Sequence, residues 1–494
     1  MIKKIQLIIP PNTAIKIPNQ LHYNINKNFP LGIGYLASYL EQEDYEVQAV
    51  DALVEGWSNV EEISKNKIKI GLSDTEIINK INSFSPDIVG ISSLFTMQTE
   101  NVFRLAKLVK QVDRKIIVIV GGANASVIPE VLIQNENIDF VVMGEGEYRF
   151  LALIKAIEKG KQEINNIDGI AYKENGNSHL VPNRNFIEDL DCLPFPARHL
   201  FNMEMYFDNL ASHGTRKYRR FASLISSRGC PMKCIFCNAY KTWGRKYRMR
   251  SPENVISEIE QLITKYNIRE LLFEDDNLTM HKKRAERIFD MMIAKKFNLV
   301  WDTPNGVAVN ALDENLIQKM KESGCYHLNI AIESGSQRVL KEIINKPIDL
   351  KRVSDLITFS KKIGLSLGGF FIFGMPGETI KEMQETIHFI KKNKFNSVHL
   401  AIASPLPGSA LYELCKDRGF LNKEFTPYSP PIIDYYIETP DWSSAELRDF
   451  IEKEKLKIQV YQQIINPKDM VGFLKKGPMY VMKKSLKLLE QLLK

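Results

Sequence analysis

The chain has 494 residues, too many for a single core, so about two to four domains are expected. Hydrophobic residues at 44% and charged residues at 25% exclude a disordered or fibrous chain. The net charge of +7 comes from 66 basic against 59 acidic residues without a polybasic tail, so charge gives no case for nucleic-acid binding.

In "MIKKIQLIIPPN" the apolar run stops at Pro10-Pro11 with no small-residue cleavage site, so a first β-strand is expected rather than a signal peptide. No apolar run reaches the roughly 18 residues of a membrane span. Six cysteines over this length make no disulfide framework, and clustered thiols suit a reducing compartment, so the expectation is a cytoplasmic protein.

Residues 1–160 alternate strand and helix. "IQLIIP", "EVQAVDA", "DIVGISS", "KIIVIV" and "IDFVVM" read as strands; "LGIGYLASYLEQE", "TENVFRLAKLVKQV" and "EYRFLALIKAIEKG" read as helices with apolar residues at helical spacing. This predicts an open doubly wound (Rossmann-like) sheet, whose ligand lies beyond the strand carboxyl ends. The loops there hold Pro10 to Asn12, Asp51, Ser92 to Thr96, Gly121 to Ser126 and Gly144 to Glu147. Gly121-Gly122 taken alone reads as a tight turn.

Together, "FPLGIGYLASYLEQEDYEVQAVDA", "SPDIVGISS", "VIVGGANAS" and "FVVMGEGE" resemble the cobalamin-binding domain that precedes many radical S-adenosylmethionine enzymes. The resemblance implies cobalamin contacts from Ser92, Ser93, Leu94, Gly121, Gly122, Gly144, Glu145, Gly146 and Glu147. The Asp-x-His-x-x-Gly loop that supplies a lower axial histidine elsewhere is missing, and His22 is the sole histidine before His179. Cobalt without a protein histidine is therefore expected, with Ser92 to Met97 on that side.

Residues 161–220 read as a hairpin with an Asn-Gly turn, "IDGIAYKENGNSHLVPN", and a proline-punctuated linker. Arg216 to Arg220, "RKYRR", reads as solvated linker, with a carboxylate-binding role as the minority reading.

Residues 221–420 contain six strand-like runs, "ASLISS", "ELLFED", "LVWDT", "YHLNIAIE", "LGGFFIFG" and "SVHLAIAS", with helical stretches between them. Six βα units predict a partial (β/α)6 TIM-type barrel with its site at the strand carboxyl ends. Just after the first strand, "SSRGCPMKCIFCNAY" carries Cys230, Cys234 and Cys237. Zinc would need a fourth ligand, and no second Cys-x-x-Cys or His pair stands nearby. Three thiolates on one loop suit a cubane whose fourth iron is left open. Cys192, Cys325 and Cys415 stand alone and read as small hydrophobes.

The spacing Cys-x-x-x-Cys-x-aromatic-Cys, with Phe236 as the aromatic, resembles the radical S-adenosylmethionine (SAM) signature. The resemblance implies a 4Fe-4S cluster, SAM as co-substrate, and an electron donor such as flavodoxin or ferredoxin. It carries adenine contact to Phe236, ammonium contact to Glu274 and Asp275 of "FEDD", and ribose or carboxylate contact to Glu333 and Ser334 of "IESGS". Asp276 is the weakest member of the acidic set. "FGMPGET" matches a later family turn, and serves equally as a strand-to-helix turn. Ser251-Pro252-Glu253 reads as a helix N-cap followed by proline and an acid.

Residues 421–494 read as a small, mostly helical region. "FTPYSPPIIDYYIETPDW" reads equally as a wall of the substrate side or as a packing strap. The last stretch, "MVGFLKKGPMYVMKKSLKLLEQLLK", has the pattern of a membrane-surface helix, which would allow peripheral membrane contact; packing on protein gives the same pattern.

The implied activity is methyl transfer from methylcobalamin to an unactivated carbon or a phosphinate phosphorus of a small-molecule or lipid substrate, through a 5′-deoxyadenosyl radical. A cyclase or oxidoreductase without methyl transfer is the alternative in the same superfamily. A non-catalytic corrinoid or iron-sulfur carrier is the alternative of another class, and it leaves "FEDD" and "IESGS" unexplained.

Overall fold

The computed structural model describes residues 2–15, 25–65, 67–160, 163–207, 216–427 and 435–465. His22 and the basic stretch from Met470 lie outside them, as does part of the aromatic strap, 428–434.

The first sheet has seven strands. In chain order they are β1 (Lys4–Ile9), β2 (Glu46–Asp51), β3 (Ile88–Ser92), β4 (Ile117–Gly121), β5 (Phe140–Val142), β6 (Ile170–Glu174) and β7 (Asn177–Val181). Their spatial order is β7-β6-β5-β4-β3-β1-β2, with β1 to β5 parallel and the β6–β7 hairpin antiparallel. The hairpin expected within the 161–220 linker is therefore an edge of this sheet.

Alternation along the strands explains why both faces are covered. Ile8, Val89, Ile91, Val118 and Val120 pack with Ile77 and Ile81 of α2 (Asp74–Phe84) and with Val102, Leu105 and Val109 of α3 (Thr99–Val112). On the opposite face, Ile5, Leu7, Ile88 and Ile119 pack with Ala37 and Leu40 of α1 (Leu31–Gln42) and with Phe150, Leu153 and Ile154 of α4 (Gly146–Glu158). Strand order reverses between β1 and β3, so the switch-point crevice opens beside Pro10-Pro11 and the loop after Ser92. A small antiparallel sheet of Asn12–Ile15, Lys67–Ile70 and Val60–Ser64 sits beyond β1 and β2. Its runs are too short to carry a readable period.

The second sheet has six parallel strands in chain order, β8 (Phe221–Leu224), β9 (Glu270–Phe273), β10 (Val300–Asp302), β11 (Cys325–Glu333), β12 (Ser366–Phe373) and β13 (Ser397–Ile402), and a seventh, the two-residue strand Val307–Ala308, pairs parallel with β11 off that path. All six expected runs are strands. The helices between them include α5 (Pro252–Tyr266), α6 (Lys282–Ala294), α7 (Glu314–Glu322), α8 (Leu350–Lys362) and α9 (Ile380–Asn393). Helix α5 starts as its sequence implies: the Ser251 side chain accepts from Asn254 N and Pro252 occupies the first turn. "QRVLKEII" forms a π-helix over Val339–Ile343 rather than an α-helix. After the strap, α10 (Ser444–Ile465) packs on α9. No described helix is long and apolar enough to cross a membrane.

Candidate functional site

The loop from Gly229 to Tyr247 leaves the carboxyl end of the first strand of the second sheet, and a two-residue antiparallel ladder, Ser227–Arg228 with Arg248–Met249, closes its neck. Gly229 has φ of +85°, and a Cβ there would lie 2.3 Å from Lys246 O, so only glycine lets the two arms of the loop pass this closely. Further along, Ile235 N donates to Ile344 O and Leu411 N to Ile235 O, at 3.1 and 2.8 Å. Asn238 Nδ2 donates to Pro407 O and the Tyr240 hydroxyl to Gly408 O. The "SPLPGSAL" loop after β13 thus clamps the cysteine loop.

Cys230, Cys234 and Cys237 are free thiols, half-buried on this loop. Among the described residues, no three Cys, His, Asp or Glu side chains converge as ligands of one metal ion. A cubane makes a different demand, because each thiolate takes its own iron and the sulfurs stand apart. The donor set fits that group. Burial pushes all three thiols up, Cys234 to about 11, while Lys346 pulls Cys230 and Cys234 down. Asp276 adds an upward push on Cys230 and Cys237, and Glu333 on Cys234 and Cys237.

The expected SAM set divides accordingly. Phe236 is half-buried against the core beside Cys234. Glu274 is half-buried; its carboxylate accepts from Ser223 Oγ at 3.3 Å and from Asn305 Nδ2 at 3.2 Å. Asp275 is occupied internally: it accepts from Ser226 N at 3.0 Å, Ser226 Oγ at 2.7 Å and Ser227 Oγ, holding the strand end that leads to the cysteines. Its neighbour Asp276, the weakest member of the expected set, is the acid of this run whose charge raises Cys230 and Cys237. Asp276 is exposed, yet surrounding protein displaces water from it and, with Asp275, pushes its carboxyl up to about 6.

Glu333 sits where the pairing of β11 with β12 slips between Ala331 and Glu333, and its φ is +76°. A non-glycine residue in this region is strained, and the bulge aims its carboxylate at Lys346, whose Nζ donates at 2.7 Å. Ser334 is withdrawn. It is fully buried, with Oγ 3.2 Å from Thr386 Oγ1 and accepting from Ser336 N.

The expected cobalamin set also separates. Leu94, Phe95 and Met97 project apolar side chains into solvent beyond β3, Leu94 at 50% exposure. Ser92 ends that strand at half exposure, whereas Ser93 is buried and accepts from Asn124 Nδ2 at 2.9 Å. Gly121 is half-buried at the end of β4. Gly122 has φ of +114°, and a Cβ would meet Ser93 O at 2.6 Å. Gly144 turns the chain after β5, and Gly146 faces open space. The exposed apolar loop and the open glycine edge fit a flat corrin. Glu145 and Glu147 are engaged within the protein. Both are buried, and they pair with Arg228 and Arg248 at the neck of the cysteine loop. Only their being acids in "MGEGE", with arginines at "SSRGC" and "YRMR", could have signalled this.

Asp51 is likewise used internally, accepting from the Tyr206 hydroxyl at 2.8 Å and from Val54 N at 3.0 Å. "RKYRR" is not solvated linker at its first residue: Arg216 is buried beneath the second sheet, 3.3 Å from Asp302 and 3.6 Å from Glu270. Backbone N–H groups of Lys217 and Tyr218 donate to Glu270. The carboxylates it meets are the protein's own, from the first residue of β9 and the last residue of β10.

The two halves meet at the site. The helical turn Ala123–Val127 after β4 packs on the turn Tyr240–Trp243 of the cysteine loop. Asn183 Nδ2 donates to Lys241 O at 2.8 Å. The strand-end loops of the first sheet therefore stand beside the cysteines.

Known proteins match along the same lines. The profile described as "Radical SAM superfamily" matches residues 224–390, and that described as "B12 binding domain" matches 26–154. Cytidylyl-2-hydroxyethylphosphonate methyltransferase of Streptomyces wedmorensis is 36% identical over 86% of this chain and 85% of its own. An uncharacterized methyltransferase of Pyrococcus horikoshii is 32% identical over 94% of each. Among solved structures, the cobalamin-dependent S-adenosylmethionine radical enzyme OxsB with aqua-cobalamin bound superposes with a TM-score of 0.73 at 16% identity, over 99% of this chain and 71% of that one.

Proposed function

The chain belongs to the radical SAM superfamily, in the group whose members also carry a B12-binding domain, and on that premise we propose how its residues serve a methyltransferase that uses a 4Fe-4S cluster, SAM and cobalamin. One observation carries this reading: three thiols on a single loop at the carboxyl end of a parallel strand, packed beside the strand-end loops of a doubly wound domain.

In this reading Cys230, Cys234 and Cys237 hold the cluster. Phe236 lies along the adenine, Asp276 and Glu274 take the methionine ammonium, and Glu333 with Lys346 takes the ribose and carboxylate side. Leu94, Phe95 and Met97 lie under the corrin face, with backbone at Gly121, Gly122 and Gly146 along its edge. Bound there, the cluster supplies the electron that splits SAM, and the cobalamin supplies methyl carriage. The protein's part is to keep both groups at one cavity and to exclude water from it. Substrate enters at the carboxyl ends of the strands of this partial barrel. Phosphonates are the first substrates to try, because the Streptomyces relative is named for one. A low-potential flavodoxin or ferredoxin in a reducing cytoplasm suits the electron supply.

The test is anaerobic reconstitution with iron, sulfide and cobalamin. A cubane absorption and resonance signature should appear, and should vanish when all three cysteines become alanine. With reductant and SAM the protein should release 5′-deoxyadenosine, and with cytidylyl-2-hydroxyethylphosphonate a methylated product is expected. A cubane that survives the triple substitution would sink the ligand assignment.

A further inference from the structure

The neck of the cysteine loop presents a problem in charge. Arg228, which enters the loop, and Arg248, which leaves it, stand directly opposite each other in the two-residue ladder. They are 4% and 3% exposed. Like charges facing across a ladder repel, and the repulsion is unscreened when both are buried. The loop carries no acid of its own there. Relief comes from the other domain. Glu145 accepts from Arg228 Nη1 at 2.9 Å and from Arg248 Nη1 at 2.9 and 2.7 Å through its two oxygens. Glu147 accepts from Arg228 Nη2 at 2.7 Å. Glu145 also accepts from Ile187 N at 2.8 Å, and Arg248 Nη1 donates to Ile187 O at 2.6 Å, which ties in the chain joining the two sheets. The faces of Tyr35 and Trp243 lie 5.1 and 4.9 Å from the Arg228 guanidinium.

Both glutamates follow β5, on the loop whose Gly144 and Gly146 border the expected corrin edge. Arg228 lies two residues before Cys230. We propose that Glu145 and Glu147 are positioning residues: their carboxylates bridge Arg228 and Arg248, so the cysteine loop closes its neck only against the docked cobalamin domain, and this fixes the separation of the two cofactors. The proposal rests on the cofactor assignment above for what is being positioned; the joint itself is made of this chain's own side chains.

Two measurements separate the claims. The first needs no cofactor. Hydrogen exchange across residues 229–247 should accelerate about tenfold in Glu145→Gln, while the strands of both sheets exchange as in the parent. Glu145→Gln/Arg248→Gln, which removes the opposing charge, should recover most of the protection. Parent-like exchange in the single variant, or additive loss in the double, overturns the proposal whether or not cobalamin binds. Should Glu145→Gln fail to fold, Glu147→Gln takes its place, with Arg228→Gln as the compensating change and the same criteria. The second uses holoprotein carrying the reduced cluster and Co(II) cobalamin. Pulsed electron paramagnetic resonance should give one narrow cluster–cobalt distance in the parent, and a distribution roughly twice as wide in Glu145→Gln at equal loading of both centres. An unchanged width at equal loading overturns the proposal. A parent that takes up neither centre overturns the cofactor assignment instead.

Discussion

At the end of β9, two adjacent carboxylates share a backbone and divide the work. Asp275 points inward and accepts three hydrogen bonds from Ser226 and Ser227. Asp276 is exposed, and its charge raises the Cys230 and Cys237 thiols. Asp275→Asn turns an acceptor into a donor facing hydroxyl and amide donors, and should lower stability by about 1–3 kcal/mol in denaturant unfolding. Asp276→Asn should leave stability within about 0.5 kcal/mol and weaken SAM binding about tenfold or more by equilibrium dialysis. The opposite pattern would show that Asp275 is the ligand and that its serine contacts are incidental. Glu333 makes the same point through its backbone. A buried carboxylate with φ of +76° survives because Lys346 and the bulge over-determine it, which is the signature of a side chain held for use.

At the scale of elements, the turn between β12 and α9 carries its own titration. Glu378 is fully buried, and its Oε2 accepts from Gly374 N at 2.8 Å and Met375 N at 3.1 Å. Burial nevertheless pushes its carboxyl from 4.5 to about 8, outweighing the two amides. The folded state thus holds its proton more tightly than the unfolded chain. The contribution to stability is full below pH 4.5 and is lost as pH rises through about 8. Wild-type stability should fall by on the order of 3 kcal/mol between pH 5 and pH 9 from this group, and Glu378→Gln should flatten that slope in thermal unfolding. A slope that is identical in the variant would assign the titration elsewhere. The elements themselves were largely legible in the sequence. Apolar runs of strand length bounded by turn residues gave the six principal strands of the second sheet and the parallel core of the first, and the spacing of Cys230, Cys234 and Cys237 marked the candidate site. Orientation was not legible. A carboxylate at a strand end, such as Glu145, Asp275 or Asp276, reads alike whether it meets a ligand, a hydroxyl or an arginine of another domain, because that choice is made by tertiary packing at long sequence separation.

At the scale of the whole molecule, the same long-range packing joins the two halves into one core. Phe29, Tyr35, Ile187, Leu190 and Leu193 from the first half belong to one buried cluster with Leu224, Val255, Ile259, Leu262 and Phe273 of the second. Phe29 packs edge-on against Phe201 and Tyr206 at 5.1 and 5.8 Å, and Tyr206 in turn bonds Asp51. A large apolar side chain contributes about 1.5–3 kcal/mol on burial, so exposing the five named residues of the first half removes roughly 10 kcal/mol. That equals the whole net stability of a typical domain, about 5–15 kcal/mol. The intact chain should therefore unfold in one calorimetric transition, and a fragment ending at Phe207 should neither melt cooperatively nor remain monomeric. A fragment with native-like circular dichroism and a sharp transition of its own would show that the shared core is only a contact surface. The physical reason to expect otherwise is that the cysteine loop draws on both halves at once. Its neck is neutralised by Glu145 and Glu147, and its Tyr240–Trp243 turn rests on Ala123–Val127. A domain free to swing would expose apolar residues and buried arginines together, and the loss of either alone rivals the margin that keeps such a chain folded.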